Sequence, residues 1–169
     1  MRLRHSKNPL RHDWINHPEA KGILVDAYIT TGFSKLRAKV LVFDHTKNLR
    51  HFWNECLGRG DLGKTCRGAV NSLIHEVQFF PGKGEKPRPP VLEADPNYFC
   101  VMGLVRGYLT TEIIAHESVH AGFAYAKRIK RTPWDQESKD MCEESVCYPA
   151  GRIAGAITSL LKKKGLISS

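Results

Sequence analysis

The sequence predicts an α+β fold, and three observations point to it. Strand-like segments come early, at 38–44, 69–80 and 98–105, and helical segments follow in a run from about 110 onward, without the βαβ alternation of a parallel-sheet protein. The chain has 169 residues, of which 41% are hydrophobic, enough for one domain with a sizeable core. The stretch 81–90, rich in proline, glycine and lysine, is too short to divide two domains and reads as an excursion at a sheet edge, bordering a cleft. We therefore expect one domain over residues 21–169, preceded by an irregular basic arm over residues 1–20.

In chain order, the arm carries His5, His12 and His17 with Pro9 and Pro18 and shows no sustained period. At 22–31, Ile23, Leu24, Val25, Ala27, Tyr28 and Ile29 fit a strand or a short buried helix, and the helix is taken as the expectation. Residues 38–44 are short, apolar and β-branched, hence a strand. Over 46–57, Leu49, Phe52, Trp53 and Cys56 keep helical spacing. Residues 69–80 and 98–105 read as further strands, the latter a candidate to pair with an extended peptide.

From 110 the period changes. Thr110 or Thr111 can cap a helix, Glu112 suits its first turn, and Ile113, Ile114, Val119, Phe123 and Ala124 give it apolar faces. Thr132, Pro133 and Asp135 resemble a second helix start. That helix should run toward Pro149, where proline would bend or end it. A final helix then places Ile153, Ala154, Ile157, Leu160 and Leu161 in the core, ahead of Lys162, Lys163, Lys164 and Gly165.

The helix starting at 110 contains His116-Glu117-Ser118-Val119-His120, an H-E-x-x-H pattern. Residues four apart on a helix are one turn up and about 40° apart, so both imidazoles can reach one ion. Glu117 is then the carboxylate that can take a proton from a water at that ion. With this composition the pattern arises by accident about 0.02 times per chain of this length. The plainer alternative is a buried helix with two hydrogen-bonded histidines, and the metal reading needs a third ligand. Glu143 and Glu144 are the most suggestive acids; neighbours on a helix point about 100° apart, so only one can face the ion. Cys142 and Cys147 flank them and are also zinc-binding types.

The His116–His120 motif, followed 24 positions later by Glu144 within Glu143-Glu144-Ser145-Val146-Cys147-Tyr148-Pro149-Ala150-Gly151, resembles the small gluzincin metallopeptidases common in phages and mobile elements. Their second motif usually reads acidic-Glu-Ala-x-Ala-Tyr-x-x-Gly; here Ser145 and Cys147 replace the alanines and Pro149 lies inside the helix. The resemblance covers residues 98 to 155. It implies a zincin-like fold, a small sheet preceding the motif helix and a glutamate-bearing C-terminal helix, with zinc held by His116, His120 and Glu144, and Glu143 in reserve. It further implies hydrolysis of a peptide bond in a protein or peptide substrate with Glu117 as general base. Tyr148, one turn beyond Glu144, is the first candidate for stabilising the oxyanion; Tyr125 and His75 are others.

Two other function classes have sequence support. The net charge of +9, concentrated in the arm, at 127–131 and at 162–164, would suit a binding module for a host factor or nucleic acid, although cations also favour helix C-termini. Residues 58–65 satisfy G-x-x-x-x-G-K-[ST], the phosphate loop of nucleotide hydrolases, but that loop requires a strand before it and a helix after it. Here a helical segment precedes and a strand-like one follows, so a glycine-rich connection is expected. No apolar run is long enough to span a membrane, the charged first residues do not resemble a secretory leader, and five cysteines at irregular spacing do not form a disulfide framework. A reducing cytoplasm is the compartment expected.

Overall fold

Pairing of backbone groups organises the chain around a small mixed sheet. The computed structural model describes residues 14–16, 20–57, 62–72, 74–77, 91–130 and 143–168, with residues 74–77, 91–94, 130 and 143 described through their backbone alone. The strands are β1 (Ile23–Thr30), β2 (Arg37–Phe43), β3 (Gly68–Ser72), β4 (Ile74–Val77), β5 (Val91–Ala94) and β6 (Tyr98–Val105). Four of them form one sheet in the order β1-β2-β6-β3, while β4 and β5 make a separate antiparallel pair. β1 and β3 run antiparallel to their neighbours, and β2 and β6 are parallel. The fold is α+β.

The segment 22–31, expected as a helix, is strand β1, paired with β2 from Ile23↔Phe43 to Thr30↔Arg37. Its buried residues, Val25 and Ile29, are four apart, a spacing that a helical turn and every second strand position share. Pairing with the β-branched strand β2 decides between the two. Strand β2 is buried from Ala38 to Phe43 because both of its faces are covered. Ala38, Val40 and Val42 join one apolar cluster; Leu41 and Phe43 join the other.

The second cluster lies under helix α1 (Thr46–His51), which continues into a π-helical turn over Phe52–Cys56, closed by the Leu57 amide donating to the Phe52 carbonyl at 3.1 Å. This agrees with the helix expected at 46–57. Gly103 of β6 makes the seat: a Cβ there would collide with Leu49 and meet Trp53. Trp14, in a short 3-10 turn, packs edge-on against Phe52 at 4.8 Å, and its amide donates to Asp26 Oδ2 at 2.8 Å. The described part of the arm is thus docked on the sheet.

The first cluster lies under helices α2 (Thr111–Lys130) and α3 (Glu143–Lys163). Thr110 caps α2, its Oγ1 accepting from the Ile113 amide at 3.3 Å. Helix α3 runs through Pro149 rather than ending there. Val146, Ala150, Ile153, Ile157 and Leu161 are all buried along it, and that packing outweighs the roughly 3 kcal/mol that an interior proline costs. Residues 131–142, where a helix start was expected, lie outside the described residues.

The strand expected at 69–80 divides into β3 and β4, which belong to different sheets; residues 78–90 lie outside the described set. β5, which pairs with β4 across that excursion, was not anticipated. Among the described residues no helix is long and apolar enough to cross a membrane.

Candidate metal centre and its surroundings

Helix geometry places His116 and His120 on one exposed arc of α2, one turn apart, and the side chains converge. Their Nε2 atoms are 3.2 Å apart and the rings meet edge-to-face with centroids 4.8 Å apart. Two nitrogens each about 2.0–2.1 Å from a tetrahedral zinc ion are about 3.3 Å apart, so this separation is compatible with such an ion, as it is with a hydrogen bond between the two rings. Burial and the facing His116 charge both hold His120 below the usual imidazole range, which favours the neutral, metal-binding form.

Glu117 points about 100° away from His116, into the gap between α2 and the edge strand β3. It is 5% exposed. Gly68, the first residue of β3, makes this burial feasible: a Cβ there would lie 2.7 Å from Glu117 Cγ and 2.9 Å from both Cδ and Oε1. Burial pushes the Glu117 carboxyl above the ordinary carboxylate range, and the His116 charge opposes the shift. A desolvated carboxylate beside two imidazoles is a stronger proton acceptor than one in water.

The loop before β3 completes this side. Cys66 donates its thiol hydrogen to the Gly68 carbonyl at 2.8 Å, and burial pushes its pKa up, with the nearby Glu117 charge adding to the rise. Arg67, exposed, holds its guanidinium 5.0 Å from the centre of the Tyr108 ring at the foot of α2. Gly68 and Cys66 were not found from the sequence. Gly68 looked like an ordinary strand start, and only the sheet's stacking on α2 reveals what it touches.

The C-terminal candidates are placed differently. Glu144 is exposed and, with Tyr148, Ser145 and Pro149, lines a shallow groove of about 230 Å³ against Phe33, Tyr125 and Ile129. Tyr148 is 64% exposed. Tyr125 is buried with its ring edge-on to Phe99 at 5.2 Å, and the side chain of His75 lies outside the described residues. Among the described residues no three His, Cys, Asp or Glu side chains are grouped to hold a metal, so Glu144 is not brought to the histidine pair.

The start of α3 lies beside the C-terminal half of α2, where Glu144 shares the groove with Tyr125, Ala126 and Ile129, beyond His116 and His120 along the helix. α2 and α3 touch at Gly122, where a Cβ would lie 2.8 Å from the Val146 carbonyl oxygen and 3.0 Å from Ala150 Cβ. Backbone position 143 shares the arc of Val146, Cys147 and Ala150; position 144 is turned about 100° from it, toward the groove.

The glycine-rich stretch 58–65 does not have the surroundings of a phosphate loop. The described part, from Leu62, leads through a turn at Lys64 and Thr65 straight into β3, and no helix begins after Lys64. It is tied instead to α1, Arg50 Nε donating to the Leu62 carbonyl at 2.9 Å. Strand β6, expected to pair with a peptide, is interior to the sheet, with both edges taken by β2 and β3.

Fold and site together define an α+β protein with a small mixed four-stranded sheet whose edge strand shields an acid next to a converging histidine pair. Comparison with protein-family models, with curated proteins and with solved structures finds no match.

Proposed function

We propose that this chain is a zinc-dependent peptidase of zincin-like architecture. The observation that carries the reading is the 3.2 Å separation of the His116 and His120 Nε2 atoms, a tetrahedral edge for zinc. His116 and His120 would hold the ion, with one acid from the start of α3 as third ligand. Glu144 and Glu143 are the two candidates for that acid. When bound, zinc supplies a Lewis acid for the scissile carbonyl and acidifies a coordinated water. Glu117 takes the proton from the attacking water and passes it to the leaving amine, and β3 keeps bulk water from its carboxylate.

Substrate would lie along β3 rather than β6, because β3 is an edge of the sheet and runs over the motif helix. Val119 and Phe123, 45% and 41% exposed on the arc beside the histidines, offer apolar contact to its side chains.

Metal analysis of the purified protein, of His116→Ala and of Glu143→Gln and Glu144→Gln separately tests the ligands. The expected result is one zinc per chain, lost in His116→Ala and weakened in one of the two acid variants. Glu117→Gln should keep its zinc and lose peptide-bond hydrolysis in a proteome-wide cleavage comparison. Full turnover in that variant would end the mechanism.

A further inference from the structure

Arg67 stands where the edge strand meets the motif helix. It is the residue before Gly68, whose backbone lies against the Glu117 side chain, a Cβ there falling 2.7 Å from Glu117 Cγ. Arg67 is exposed, and its guanidinium lies 5.0 Å from the centre of the Tyr108 ring. Tyr108 closes the 3-10 turn Arg106–Tyr108 that leads from β6 into α2, and its carbonyl accepts from the Thr110 amide at 2.8 Å. Contact with a ring anchored in this way restricts where the guanidinium can go without consuming its N–H donors.

The sheet register adds a second cation. Gly68 pairs with Leu104, so Arg67 is level with the end of β6, and Arg106, also exposed, follows at once. Among the described residues neither arginine is in an ion pair. The acids of the lower half of α2 leave them so: Glu112 is exposed on the first turn and bridges to neither, and Glu117 is 5% exposed and turned to β3. Lengths along the elements put this charge within reach of a bound peptide. From Thr111 to His116 is a rise of about 8 Å along α2. An extended chain advances about 3.3 Å per residue, so two or three residues of a substrate lying on β3 span that separation.

We infer that Arg67 is a specificity-determining residue that selects a carboxylate, from an acidic side chain or a chain terminus, two or three residues from the scissile bond. The inference rests on the peptidase reading and on a substrate that follows β3. A planar guanidinium presents paired donors that match the two oxygens of a carboxylate, and an arginine already held in place loses less freedom in making that pair. A lysine or arginine side chain at the same position would instead meet the unpaired charges of Arg67 and Arg106.

The test is the cleavage profile of the zinc-loaded protein on a proteome-derived peptide library, with Glu117→Gln as the blank. Aspartate, glutamate or a free C-terminus should be enriched at one position within three residues of the cut. Synthetic peptides built on the best site, with the acid replaced by its amide and with the C-terminus free or amidated, separate the two sources of carboxylate. Arg67→Ala should lower kcat/KM for the acidic peptide roughly 10- to 100-fold, chiefly through KM, and remove the same factor from its advantage over the amide peptide. Arg67→Glu should turn the preference at that position toward lysine and arginine, a reversal that a merely structural role would not produce. The comparison of acid with amide peptides on the natural protein needs no variant to fold. Cleavage without enrichment of a carboxylate, or enrichment that is the same in Arg67→Ala, overturns the inference and leaves the peptidase reading standing. Absence of any cleavage that depends on Glu117 ends both.

Discussion

Gly68→Ala isolates the contact that sets the position of Glu117. The new methyl would lie 2.7 Å from Glu117 Cγ and 2.9 Å from Cδ and Oε1, where ordinary contact begins at 3.4 Å. The carboxylate must therefore retreat by about 0.5–0.7 Å, or β3 must lift from α2. Overpacking of this kind costs about 1–3 kcal/mol. Displacing a reacting group by about 1 Å costs on the order of 100-fold in rate, so this variant should hydrolyse peptides roughly 10- to 100-fold more slowly at unchanged zinc content. Urea denaturation supplies a readout that needs no substrate. In a Glu117→Ala background the collision partner is gone, and Gly68→Ala should become neutral or stabilise by about 0.4–1 kcal/mol through the unfolded chain. The double-mutant cycle should return a coupling of about 1–3 kcal/mol. An equal cost in both backgrounds would refute the argument that glycine is there for Glu117.

Other expectations follow from the same geometry. Gly122→Ala meets the Val146 carbonyl, a backbone atom that cannot swing aside, so α2 and α3 must separate; a loss of about 1–3 kcal/mol and weaker zinc binding are expected in denaturation and metal titration. Asp26→Ala removes the opposite charge paired with the buried Lys39 and should cost about 3–5 kcal/mol, whereas Asp26→Leu with Lys39→Met should recover most of it; a thermal melt of the three proteins decides. Zinc should raise the melting temperature of the natural protein and leave His116→Ala unmoved, since an ion that binds only the folded state stabilises it. Alkylation followed by mass spectrometry should modify exposed Cys147 readily and spare Cys100 until unfolding, because complete burial holds the Cys100 thiol far above its ordinary pKa.

The elements legible in advance were those with one unambiguous local signal. The Tyr98–Val105 strand, the helix beginning at the Thr110 cap and the helical spacing from Leu49 to Cys56 coincide with β6, α2 and the α1 segment. Where the signal was shared between two structures, pairing partners decided. Val25 and Ile29 fit either period, and antiparallel contact with β2 made them a strand. Pro149 looked like a stop until the burial of Val146, Ala150 and Ile153 supplied a packing energy that no local rule contains.

By itself the sequence determined that His116 and His120 could share an ion, because the i, i+4 relation is a property of any helix. It also determined the class of the fold, through strands that precede helices. The tertiary structure alone decided the rest. Sheet order made β3 the edge and β6 the interior; the Gly68 contact buried Glu117; and the close approach at Gly122 set where α3 lies along α2, with Glu144 beside Tyr125 and Ile129. These depend on contacts between residues tens of positions apart, and the spacing of residues along a chain does not encode the angle at which two distant helices meet.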